Sequence, residues 1–397
     1  MANKNISIMY CKQPRYYSRF ACMGGSCPVS CCLSWRVVWS KEEVDKLKNA
    51  ECSDKLRADV ESSFVPFEKN SEKFSIKMVD NGRCPFLTED NFCSIQRELG
   101  AEYLSYTCSI YPRHSSFIGD DVYRFCNLSC FRVMDSLCND SECMILDNYH
   151  SAEKTSRVRV ERLKQEILDK PGVKYRQQIF EFFYDIISDD SHSVETSLVF
   201  GALVAQSLSK LVSNGESNKI PSSIDAFRAQ IKDPNQIKNI ENIKPNYEVK
   251  FKFLNELNKQ ITDSNIIDLI SEDGLVVLDK YNEGMKRFSE DFADRPFALR
   301  NIALNLLLEL KMPFISYDYN LFENYCYYVA AFAIMKLIAY SIYAAERKNP
   351  EFGFKISSVY ADRFFSHNLD SKEFGTILDI YKKFNFLSPA YLALIVK

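Results

Sequence analysis

Histidine, glycine and proline are all scarce in this sequence, and each shortage removes a class of chemistry. Only 4 histidines occur in 397 residues: His114, His150, His192 and His367. Structural zinc fingers usually need two CxxC knuckles, or a CxxC and an HxxxH pair. Neither arrangement is present. Glycine numbers 12 and proline 13. No GxGxG turn occurs, so the dinucleotide-type fold that uses one is excluded. Gly24-Gly25 lies inside a cysteine-rich loop, without a strand before it. With few helix breakers, long stretches are free to be helical. No charge sign dominates either. The net charge of −3 offers no field for nucleic acid or an anionic membrane. Residues 1–20 lack an apolar run, so no signal peptide is expected. The most membrane-like run, Tyr327 to Ala345, is interrupted by Lys336 and several tyrosines. It is expected to be a buried helix, with no membrane insertion. The expected compartment is the cytoplasm, where thiols stay reduced.

Cysteine and aromatic residues, by contrast, are plentiful. Tyr and Phe number 22 and 29, enough rings for a rich core. There are 14 cysteines, and all but Cys326 lie between Cys11 and Cys143. Random scatter would place about five in that window. Nine are candidate metal ligands: Cys22, Cys27, Cys31, Cys32, Cys84, Cys93, Cys108, Cys126 and Cys130. Cys11, Cys52, Cys138, Cys143 and Cys326 are more isolated, and are expected to be small buried hydrophobes. A dense reduced cysteine set argues for metal or redox chemistry over disulfides. Soft thiolates select zinc, copper(I) or iron–sulfur. Irregular spacing and the adjacent Cys31-Cys32 suit a larger cluster, so a 4Fe–4S centre is the leading expectation and zinc the alternative. Nine thiols exceed the four that one cluster needs, leaving room for a second centre or for supporting thiols.

Local geometry adds detail. Cys27/Cys31 and Cys126/Cys130 are each four apart, and on a helix each pair would share a face. Gly24-Gly25 frees the backbone for a tight loop whose amides can donate to sulfur. Phe74, Ile76 and Met78 alternate before Asn81-Gly82, which predicts a β-hairpin from 73 to 87. Residues 93–108 read as one helix, with Ile95, Leu99 and Tyr103 on a stripe. The turn-like 117–123 segment suits a join between two short strands, and 127–137 reads as helical.

The order of these motifs resembles a known family. Phe20-Ala-Cys22, Cys27, Cys31-Cys32-Leu-Ser-Trp35, Cys84-Pro-Phe-Leu87 and Cys93 are followed by Leu104-Ser-Tyr-Thr-Cys108, Tyr111-Pro-Arg113 and Leu128-Ser-Cys130. This pattern is similar to flagellin lysine-N-methylase, which belongs with the zinc/iron-chelating CxxCxxCC-type proteins. The resemblance covers about Arg15 to Cys130. It implies methyl transfer from S-adenosylmethionine to lysine side chains of flagellin, in the cytoplasm, before export. The spacing here is C-x4-C-x3-CC, which departs from CxxCxxCC and leaves the ligating subset open.

The expected fold is mainly α. A cysteine-rich module with a small β-hairpin fills residues 1–150, and a larger helical domain fills 151–397. Helices are expected over 157–168, 175–187, 195–212, 248–261, 296–310, 325–345 and 371–386. The polar stretch 213–246 is expected as a mobile loop. The CxxxCxxC motif of radical enzymes is absent, because Ser34 and Val133 stand where its third cysteine would be. A neutral amine can attack a sulfonium methyl directly, given in-line positioning and removal of a proton. A buried carboxylate or tyrosine could take that proton, and aromatic rings could hold the sulfonium. With 53 acidic residues and 22 tyrosines, the sequence singles out none. The metal centre is expected to be structural first, and a cofactor-binding iron second. Arg36, Arg113, His114 and the Trp35–Trp39 pair are minor candidates beside it, each with an ordinary surface or core role as the rival reading. Lys41–Lys48 reads as a charged helix face. A metal-carrying module without catalysis, or a cluster-dependent redox protein, are the rival functions.

Overall fold

The computed structural model describes residues 9–33, 37–68, 72–79, 82–119, 121–151, 163–260, 270–273, 275–367 and 371–397. The chain is mainly α, with two small sheets in its first 151 residues and a two-stranded ribbon further on. In chain order the first seven strands are β1 (Met9–Pro14), β2 (Val38–Ser40), β3 (Phe64–Pro66), β4 (Lys73–Ile76), β5 (Arg113–Ile118), β6 (Asp121–Cys126) and β7 (Leu146–Ser151). One sheet has the order β5-β6-β1-β7, and β1 runs parallel to β6. The other is antiparallel, in the order β2-β4-β3.

The hairpin falls elsewhere than its turn signal suggested. β4 pairs with β2 and β3; Asp80 and Asn81 of the expected turn lie outside the described residues, and among the described ones an isolated bridge joins Val79 to Arg83. Ile76 and Trp39 bury their side chains in this three-stranded sheet, so tertiary packing claims β4 before the local turn can. The true hairpin is β5–β6, pairing Arg113 with Cys126 through to Ile118 with Asp121, as the 117–123 segment suggested. The 93–108 helix is cut in two, Ser94–Leu99 and Tyr106–Ile110. The break is Gly100, at φ 94°, a left-handed conformation that glycine adopts freely.

Two cores organise the molecule. The smaller gathers Val37, Trp39, Leu47, Leu56, Val60, Phe86 and Ile95, with Phe64 edge-on to Trp39 at 5.2 Å. The larger runs from Tyr16 to Val396 and takes in Phe125, Leu128 and Phe131, so apolar packing crosses residue 150 without a seam. Helices Arg176–Ser188, Val194–Ser213, Tyr247–Gln260, Phe297–Glu309, Leu321–Ala345 and Ser371–Lys383 lie where periodicity placed them. Half of the expected 157–168 helix, residues 157–162, lies outside the described residues; Gln165–Leu168 is helical. The stretch expected as a mobile loop, 213–246, is instead helical over Ile220–Gln230 and Pro234–Glu241. Proline sits in the first turn of both helices, where its missing N–H costs nothing, and Ile220, Ile224, Ile237 and Ile240 anchor them in the core. Val194–Ser213 and Leu321–Ala345 are long and apolar enough to cross a membrane. Within the molecule they are core elements, with 56% and 89% of their most apolar windows buried. The capping box of Asn320 and Glu323 starts the second of these helices.

Candidate metal centre

The cysteine loop is shaped by its two glycines. Gly24 has φ +58°, and a Cβ there would meet the Phe92 ring at 3.0 Å. A Cβ on Gly25 would sit 2.6 Å from the Asp90 carbonyl oxygen. The loop can therefore lie directly on the segment before Cys93. The Gly24 amide donates to Cys22 Sγ at 3.4 Å, the kind of amide–sulfur contact the loop was expected to make. Cys84 N donates to the Cys32 carbonyl at 2.9 Å, and Leu33 bridges Arg83. This joins the Cys31-Cys32 turn to Cys84. Leu87 bridges Cys93, and Ser105 Oγ accepts from Cys108 N at 3.0 Å, fixing the start of the helix that carries Cys108.

Five candidate thiols gather on this side. The Cys32 thiol hydrogen-bonds with those of Cys31 and Cys84. The bond with Cys31 favours its thiolate, but the bond with Cys84 and burial outweigh that, and the net shift is upward. Burial pushes Cys93 up, and proximity to Cys31 adds to it. Burial takes Cys108 to about 12, with Cys93 and Cys31 contributing. Three more thiols gather on the other side. Cys130 is pushed up to about 12 by burial, with Cys27 and Cys31 adding repulsion. Cys126 is fully buried and raised well above its ordinary value by burial, then by Cys130. Cys31 thus stands between the two groups. Thiols that raise one another in this way are donors that a cation would convert to thiolates.

Cys126 and Cys130 act on one another without sharing a helix, and Cys27 and Cys31 both act on Cys130. Cys27 and Cys31 lie in irregular chain, Cys126 ends β6, and Cys130 precedes the helix Phe131–Asn139. Cys22 is exposed. Cys11, Cys138, Cys143 and Cys326 are buried, and Cys52 packs on the smaller core. Among the described residues, no three histidine, cysteine or carboxylate side chains converge tightly enough to grip an ion as they stand. His114 is exposed, with its ring 5.9 Å from that of Phe125. Arg113 lies over the Phe20 ring and donates to the Phe20 carbonyl at 3.2 Å. Trp39 is core, whereas Trp35 and Arg36 lie outside the described residues.

Two features escaped the sequence. The first is a polar stripe on the helix Phe297–Glu309. Asn301, Asn305 and Glu309 are buried at spacing four. Asn301 Nδ2 donates to the carbonyls of Leu137 and Asp140 at 3.0 and 3.1 Å. Asn305 Nδ2 donates to the Cys126 carbonyl at 3.0 Å, and its Oδ1 accepts from Tyr16 at 2.6 Å. The Tyr16 hydroxyl in turn accepts from Cys126 N at 2.8 Å. Glu309 accepts from Leu128 N at 3.0 Å and from Asn127 Nδ2. The second is a buried ionic cluster. Lys336 Nζ donates to Glu195 Oε1 at 2.6 Å and to the Val396 carbonyl at 2.9 Å. Nearby Lys250, 1% exposed, donates to Tyr281 Oη at 3.2 Å and lies against the rings of Tyr281 and Tyr247. Spacing four inside a helix that is otherwise apolar except for Arg300 was the one available signal for the stripe.

A thiol-rich module built onto a helical body defines the class. Within it, residues 180–395 match the FliB lysine N-methylase C-terminal domain, and the chain belongs to that family. A lysine-N-methylase of Salmonella typhimurium is 26% identical over 281 residues, covering 69% of this chain and 66% of that protein. One from Salmonella choleraesuis is 25% identical over the same shares. The flagellar biosynthetic protein FliU of Salmonella muenchen is 31% identical over 149 residues, 37% of this chain and 88% of its own length. The match to the two lysine-N-methylases thus spans just under two thirds of their length. No solved structure matches this chain.

Proposed function

We propose that this protein is a lysine N-methyltransferase that acts on flagellin in the cytoplasm and takes its methyl group from S-adenosylmethionine. The observation that carries the reading is the family match over the helical body, residues 180–395. The names of the relatives, lysine-N-methylase and a flagellar biosynthetic protein, support the reaction and the flagellar setting.

The donor set fits a thiolate-bound metal by its chemistry. Cys31, Cys32, Cys84, Cys93 and Cys108 would supply the ligands, with Cys27, Cys126 and Cys130 as the second group within reach of Cys31. A 4Fe–4S cluster is the centre we favour, with zinc as the alternative. Its role would be to stabilise a region held by short strands and irregular chain. Sulfur donors on both sides of Cys31 also allow a supporting set beyond four ligands.

A cavity of about 220 Å³ lies among Val173, Ile179, Val212, Ile220, Phe314 and Tyr317. Its lining is chiefly apolar and includes no carboxylate to face a sulfonium. The reaction itself requires only a neutral lysine amine, in line with the methyl, and an acceptor for its proton.

The test is incubation of the purified protein with flagellin and methyl-labelled S-adenosylmethionine. Label on flagellin lysines is the expected result, and its absence refutes the reading. Anaerobic purification with iron, sulfide and zinc analysis tests the centre separately. Iron with near-equal sulfide supports the cluster, and zinc without sulfide refutes it. Replacing Cys32 or Cys84 with serine should lower metal content, while Cys326→Ser should not.

A further inference from the structure

We propose that Asn305 and Glu309 are positioning residues for the cysteine-bearing turn Cys126–Cys130. The inference rests on the reading that thiols of this turn help to hold a metal. Both polar backbone groups of Cys126 engage the Tyr16–Asn305 pair, and the next two residues engage Glu309. The turn closes on itself with Cys130 N donating to the Asn127 carbonyl at 3.3 Å. Asn127 N is held by the Pro112 carbonyl at 3.0 Å. The direction in which Cys130 faces Cys27 and Cys31 is therefore set from the body, by a helix more than 160 residues away in sequence.

Energetics favour a specific purpose for the stripe. A buried amide or carboxylate costs free energy unless it is paired, and an apolar face would pack without that cost. Apart from Arg300, which donates to the carbonyls of Ile187, Asp189 and His192, these three polar side chains interrupt buried positions that are otherwise Leu, Ile and Ala. Two of the three make hydrogen bonds with the three residues Cys126, Asn127 and Leu128, or with Tyr16, which itself binds Cys126. The third, Asn301, binds Leu137 and Asp140, away from the turn. All three belong to the segment that matches the family domain, which itself lies outside the cysteine-rich region. The body thus contributes to the centre without donating a ligand.

The experiment uses full-length, reduced, metal-free protein and cobalt(II) as the probe, whose thiolate charge-transfer bands report sulfur ligation. Asn305→Leu and Glu309→Gln should weaken cobalt binding about 10- to 100-fold, the usual effect of losing a group that orients a ligand. They should also alter the charge-transfer bands. Asn301→Leu removes an equally buried amide from the same stripe and should leave those bands unchanged. In parallel, iodoacetamide labelling of the metal-free proteins should speed up at Cys126 and Cys130 in the first two variants, with Cys326 unaffected. Equal loss in all three variants means general structural support and overturns the inference. So do wild-type bands and wild-type labelling in Asn305→Leu and Glu309→Gln. If wild-type protein shows no cobalt–thiolate bands, the metal reading fails, and the labelling pattern alone decides the positioning.

Discussion

Removing the Lys250 charge should make this protein more stable at neutral pH. Lys250 is 1% exposed. Burial lowers its pKa from 10.5 to about 7, repulsion from Lys336 adds to the drop, and Glu195 only partly opposes it. In the unfolded chain the ammonium keeps its proton up to its ordinary value. Between the two values the unfolded state holds a proton that the folded state lacks. Stability therefore falls as pH drops from about 10.5 to about 7, by about 1.4 kcal/mol per pH unit, and levels off below. The full penalty is about 4 to 5 kcal/mol. Lys250→Met keeps the length of the side chain and removes the charge. It also leaves the Tyr281 hydroxyl without this partner, at a cost of about 1 to 3 kcal/mol. The variant should gain about 1 to 4 kcal/mol near pH 7, and the gain should vanish or reverse near pH 10. Urea denaturation of both proteins across that range measures it. A difference that stays constant with pH, or a variant less stable near pH 7, would refute the reasoning.

Other consequences follow from the same packing. Lys336→Met should strand the Glu195 carboxylate, 2.6 Å from the lost ammonium, and cost about 3 to 5 kcal/mol in urea denaturation. Pairing it with Glu195→Leu should recover most of that loss. Gly284→Ala would place a Cβ 1.9 Å from the Tyr340 carbonyl oxygen, where the helices Leu278–Asp291 and Leu321–Ala345 meet. The helices must part, so thermal denaturation should shift downward by an amount equivalent to about 1 to 3 kcal/mol or more. Gly375→Ala, in the helix Ser371–Lys383, would meet only the Tyr319 hydroxyl at 3.4 Å, an ordinary contact, and serves as the uncrowded control.

The sequence carried the helical body well because its segments are long and their apolar positions recur at helical spacing. It failed at 213–246, where polar composition hid four isoleucines that anchor two short helices. It also missed helices Leu278–Asp291, Pro350–His367 and Pro389–Val396. The last of these is almost uniformly apolar, so it shows no amphipathic period. For the thiols, linear spacing was a fair guide to company but a poor one to conformation. Cys126 and Cys130 interact as their separation suggested, yet one ends a strand and the other precedes a helix. Cys22, two residues before Gly24, is exposed. The contribution of Asn305 and Glu309 depends on contacts between segments far apart in the chain, which spacing alone does not encode.

The candidate thiols are divided between the two cores. Cys84, Cys93 and Cys108 pack on the smaller core, while Cys27, Cys126 and Cys130 pack on the larger. Neither core owns the whole sulfur set. An ion that draws donors from both can be captured only after each has closed, and once captured it would tether them as a crosslink does. Such an ion would act as a tie between the two cores, and losing it would free the smaller core from the larger.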